Sequence, residues 1–117
     1  MREYKINLSG FGISDFQRDE IINFCKQYRE KKNKLKNPKI HLKPEVAGKY
    51  KSDIRLMEKT AFEIDEELAP YILKIVSGEV RFSIVSKEIG SRNIKRFNDA
   101  RRRYYKLLIV KREREQV

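Results

Sequence analysis

The chain has 117 residues, enough for one small domain with one core, and 39% of them are apolar against 38% charged. It holds no run of about 18 apolar residues, which excludes a membrane-spanning helix, and its single cysteine excludes an internal disulfide. The net charge of +11 is segregated: residues 26–51 hold ten basic and two acidic groups, residues 91–117 ten and three, and residues 52–80 between them three and seven. Two basic blocks around an acidic middle suit a polyanion partner.

The opening residues, MREYKINLSG, lack the apolar core of a signal peptide, so a cytoplasmic location is expected. Residues 1–13, with two glycines, read as an extended or irregular arm. The first helix is expected over 14–35. Ser14 and Gln17 form a capping box, and Ile21, Phe24, Cys25 and Tyr28 follow at the i, i+3, i+4, i+7 spacing of a buried stripe. Cys25 on that stripe reads as a small buried hydrophobe. The lysine-rich end of the helix suits the negative end of the helix dipole.

Residues 36–51, with Pro38, Pro44 and Gly48, read as a basic loop that could touch phosphate by charge alone. Residues 52–78 read as a helical core. A helix capped by Ser52 or Asp53 buries Ile54, Met57, Ala61, Ile64 and then Leu68. A short helix comes next, with Pro70 in its first turn and Gly78 past its end. Its residues Tyr71, Ile72, Leu73, Ile75 and Val76 are apolar nearly all round, which predicts a central position.

VRFSIVSKEIG, 80–90, fits a short strand or a short helix by periodicity. The residues after it favour helix: Glu-Ile-Gly-Ser and then a long basic helix have the layout of a helix-turn-helix over 80–111, with 112–117 as a tail. Gly90 suits the turn and Ser91 the cap. On the last helix, expected from Arg92 to Lys111 or beyond, Ile94, Phe97, Arg101, Tyr104, Tyr105 and Leu108 share the core face. Tyr104 and Tyr105 therefore belong to the core rather than to base stacking. Ser91, Arg92, Asn93, Lys95, Arg96, Asp99, Arg102, Arg103 and Lys106 form the candidate DNA-binding face. Arg, Lys and Asn near the start of such a helix can reach base edges, and the later cations reach phosphate.

His41 has no second His or Cys pair near it, so no metal is expected. The acidic cluster Glu63, Asp65, Glu66 and Glu67 lacks a converging partner for catalysis. Neither SGFG nor VAGK has phosphate-loop spacing. The reading is of a protein that is not an enzyme and takes no cofactor.

Glu58, Ala61, Glu63, Asp65, Leu68, Tyr71, Ile72, Leu73, Lys74, Val76 and Gly78, then Arg102, Arg103, Tyr104, Tyr105, Leu107 and Leu108, carry a resemblance. The chain resembles small proteins of phages and integrated elements of Gram-positive bacteria. Its final helix is similar to the second helix of the sigma-factor-like helix-turn-helix in ArpU/RinA-type late-gene regulators. Ser91 and Arg92 match the Ser/Thr-Arg step that opens the recognition helix there. The short apolar FSIVSKEIG departs from the longer polar first helix usual in that group. The resemblance implies a transcriptional regulator that binds double-stranded DNA, with RNA polymerase as a candidate partner.

The expected fold is all-α, a bundle of four to five helices ending in a helix-turn-helix. A DNA-packaging or recombination accessory protein, and a protein adaptor or inhibitor with a basic face, are the alternative functions. No oligomeric state is implied.

Overall fold

The computed structural model describes Ile6 and residues 8–115. Residues 1–5 and 7 of the expected arm, and 116–117 of the tail, lie outside the described residues. The fold is all-helical, with no strand among the described residues.

α1 (Asp15–Lys26) opens on the expected capping box. Gln17 N–H donates to Ser14 Oγ at 3.1 Å, and Ser14 N–H donates to Gln17 Oε1 at 3.1 Å. Gln27 then interrupts the helix, and α2 (Tyr28–Lys36) continues it, so the predicted 14–35 rod exists with a break. Gln27 stays in a helical conformation but its N–H bonds Phe24, one residue nearer than α-helical spacing. Tyr28, just past the break, faces inward, where its hydroxyl donates to Glu58 Oε2 at 2.7 Å. Ile21, Phe24, Cys25 and Tyr28 are all buried, as their spacing predicts.

α3 (Pro44–Ile64) corrects the expected loop over 36–51 and the expected cap at Ser52 or Asp53. Proline restricts the residue before it and favours the first helical turn. Lys43 is accordingly extended and Pro44 starts the helix. Gly48 costs about 1 kcal/mol inside a helix, but Val46, Ala47 and Tyr50 gain partial burial around it. Only the segment between α2 and Pro44 is left as a connection.

Asp53, far from capping anything, is buried in mid-helix. Lys31 of α2 reaches it at 2.9 Å and Lys49 at 3.1 Å. Two buried charges survive because they are paired.

α3 is the central helix, packed against α2, α4 (Ala69–Val76) and α6 (Ile94–Glu115). Its Met57 and Ala61 meet Leu68, Ile72 and Val76 and the α6 residues Phe97, Ala100, Tyr104, Tyr105 and Leu108 in one core. α4 starts where Asp65 Oδ1 accepts the Leu68 N–H at 3.0 Å. It ends at Gly78, whose φ of +76° lets the Glu79 N–H turn back to the Lys74 carbonyl. The ambiguous segment is a helix, α5 (Phe82–Ile89), which buries Val85 and leaves Phe82 and Ile84 exposed.

Candidate nucleic-acid interface

Gly90 ends α5 with φ +83° and ψ 152°, a region that only glycine enters freely. Ser91, expected to cap α6, instead opens a 3-10 turn, Ser91–Asn93, and α6 begins at Ile94. The Asn93 side-chain amide donates to the Ile89 carbonyl at 2.9 Å and so clamps the turn to the end of α5.

One side of α6 is the core face that its phase predicts. Phe97, Ala100, Tyr104, Tyr105 and Leu108 are buried, and Arg101 is half-buried with its guanidinium 6.0 Å from the Phe82 ring. Burial raises the Tyr105 and Tyr104 hydroxyls well above the ordinary tyrosine range and pushes the Cys25 thiol up to about 12. These groups stay neutral, and the tyrosine rings are not offered to bases.

Three cations of α6 hold the helix in place. Arg96 forms a two-pronged pair with Asp65, with Nε–Oδ2 and Nη2–Oδ1 both 3.0 Å, and lies 3.6 Å from Glu67. Lys111 reaches Glu63 at 2.9 Å and Thr60 Oγ1 at 3.1 Å. Arg112 reaches Glu20 at 2.6 Å and lies 3.9 Å over the Phe24 ring. The Lys111 hydrogen bond lowers the Glu63 carboxyl below its usual range. Partial burial pushes Asp65 up, but the Leu68 N–H and the Arg96 guanidinium outweigh it and leave that carboxyl lowered. Glu63, Asp65 and Glu67 of the acidic cluster thus have a structural use, as the anchor of α6.

The nine candidate residues divide accordingly. Arg96 and Asn93 are engaged, one with Asp65 and the other with Ile89. Arg102 is half-buried and 3.8 Å from Asp99. Ser91, Arg92, Lys95, Asp99, Arg103 and Lys106 are exposed. On the wheel Lys95, Lys106, Asp99 and Arg103 fall within about 80° of one another. Arg92, Lys95, Arg103 and Lys106 make no ion pair among the described residues. Lys106 lies 5.9 Å over the Phe11 ring. The result is a cationic strip in water on a helix whose other side is bolted to the core.

The Lys31–Asp53–Lys49 cluster and the seat of Arg112 on Phe24 are not visible in the spacing of residues along the sequence. The i, i+4 relation of Lys49 to Asp53 was available, but only to a reading that let the helix start at Pro44. The cleft by that cluster, about 360 Å³, is lined by charges that answer one another: Lys31 and Lys49 on Asp53, Arg112 on Glu20. Among the described residues no group of His, Cys, Asp or Glu could hold a metal ion. No helix of the described residues is long and apolar enough to cross a membrane. Compared with models of protein families, with curated proteins and with solved structures, the chain finds no match.

Proposed function

We propose that this protein binds double-stranded DNA through the solvent face of α6 and serves a phage or mobile element as a transcriptional regulator. One observation carries the reading. Lys95, Arg103 and Lys106 stand in water on one strip of α6, with Arg92 exposed in the turn before it, none of them in an ion pair with a described acid, while Arg96, Lys111, Arg112 and the aromatic side fix the helix beneath them. Cations that stabilise the fold have partners, as Arg96, Lys111 and Arg112 do. Cations held in register with no acidic partner are available for phosphate.

In this reading α5, the Gly90–Asn93 turn and α6 act as a helix-turn-helix, with α6 as the probe in the major groove. Arg92 and Lys95 are the residues for base edges, Ser91 for the backbone, and Arg102, Arg103 and Lys106 for phosphate. Arg96 and Asn93 are positioning residues that keep α6 and its turn in place. Kinship with ArpU/RinA-type regulators, and RNA polymerase as a partner, belong to the same proposal.

Selection of bound sequences from random duplex DNA tests it. Recovery of a defined motif supports a regulator. Uniform enrichment moves the protein to a packaging or recombination accessory role, and no enrichment at all refutes the DNA-binding reading.

A further inference from the structure

α3 begins eight residues earlier than the expected cap at Ser52, at Pro44. That places Lys51 on the same helix as Arg55 and Lys59, at i, i+4 and i+8, with Phe62 three residues further along the same face. All four are exposed, Phe62 by 51%. Each four-residue step advances about 6 Å along the axis, so the three cations form a row of about 12 Å. None of the three makes an ion pair among the described residues, although Lys59 acts on the Glu63 carboxyl one turn on. The opposite side of α3 holds Met57 and Ala61 in the core, so the row cannot turn inward.

A lone exposed phenylalanine needs no explanation. One in line with three unpaired cations does. Beyond it the chain turns acidic, with Glu63, Asp65, Glu66 and Glu67. A path for phosphates along α3 therefore stops at the residue that offers a ring face and no charge. In a duplex the bases are already stacked and have no free face for that ring. In an unpaired strand they do, and a ring without hydrogen-bonding groups accepts any base.

We propose that the solvent face of α3 binds single-stranded DNA, with Lys51, Arg55 and Lys59 on successive phosphates and Phe62 stacked on a base. The proposal rests on the reading of the chain as a DNA-binding protein, but it uses a different helix, so the two fail separately.

The test is fluorescence anisotropy of the full chain with a labelled oligo-dT of about 12 nucleotides and with a duplex of the same length. Three contacts predict a log–log salt slope near −2 for oligo-dT, at about −0.7 per phosphate. Phe62→Ala is expected to weaken oligo-dT at least about fivefold and to leave the duplex essentially unchanged. Arg55→Gln with Lys59→Gln is expected to bring the oligo-dT slope to about −0.7. Lys95→Gln with Arg103→Gln on α6 should weaken the duplex and leave the Phe62 effect on oligo-dT intact. Loss of duplex binding by the wild-type chain, with oligo-dT still responding to Phe62, would sink the α6 reading and uphold this one. Wild-type oligo-dT binding by both α3 variants overturns the proposal. So does an equal loss on duplex and single strand. Oligo-U bound about tenfold tighter than oligo-dT overturns the assignment to DNA.

Discussion

Replacing Asp53 by Asn is expected to destabilise the fold severely without touching the α6 face. Asp53 is 5% exposed at its side chain and holds Lys31, itself 10% exposed, at 2.9 Å. Neutralising the carboxylate leaves the Lys31 ammonium buried with no counter-charge. The Phe24 ring at 4.6 Å and the Tyr50 ring at 5.8 Å return only part of the loss. Breaking a buried pair this way costs about 3–5 kcal/mol, a large share of the roughly 5–15 kcal/mol that holds a domain together. Losing a helix cap costs only about 1 kcal/mol, so the magnitude separates the buried pair from the cap that the sequence suggests. Lys49, two-thirds exposed, turns to water when its partner goes, and Lys49→Ala should cost no more than about 1 kcal/mol. Urea unfolding is the assay, with the midpoint falling and the slope unchanged. Lys31→Met added to Asp53→Asn should recover most of the loss, because it removes the stranded charge. An Asp53→Asn cost of about 1 kcal/mol, or no recovery with Lys31→Met, would refute the argument.

Three further outcomes rest on local geometry. Gly90→Ala forces a side chain into a positive-φ region and should cost about 1–3 kcal/mol by urea unfolding, and a neutral result would show that the turn relaxes. Cys25, fully buried with its thiol raised to about 12 by burial, should resist a thiol reagent at pH 8 until urea unfolds the chain, and prompt labelling of the folded protein would contradict its place in the core. The Asp65 carboxyl is lowered in the fold, so it contributes stability above its unfolded value near 3.9 that is lost as pH falls through the folded value. Acid unfolding should therefore steepen below about pH 4 and be shallower in Asp65→Asn, whereas parallel curves for the two proteins would remove Asp65 from the acid response.

Several features of the fold can be read from local pattern, because local chemistry decides them. The Ser14–Gln17 box and the Ile21–Tyr28 stripe need only neighbouring residues, and the core phase of Phe97, Tyr104, Tyr105 and Leu108 needs only helical periodicity. The start of α3 is different. Pro44 and Gly48 look like breakers in isolation, but Pro44 suits the first turn of the helix and packing of Tyr50 and Asp53 against α2 outweighs the cost of Gly48. The break at Gln27 has no propensity signal of its own. On the candidate face, exposure of Lys95, Arg103 and Lys106 can be read from the wheel. The engagement of Arg96 cannot, because its partner Asp65 lies 31 residues away in sequence, and Asn93 is taken up by a turn whose length the pattern leaves open.

The salt dependence of duplex DNA binding tests the central claim most directly. Each neutralised phosphate contact changes the log–log slope by about 0.9. The wild-type chain should bind duplex DNA with a steep negative slope. Arg103→Gln and Lys106→Gln together should make that slope shallower by about 1.8 while thermal stability changes little, since both side chains are exposed and make no ion pair among the described residues. An unchanged slope in the double variant, or no duplex binding by the wild-type chain at low salt, would contradict the account.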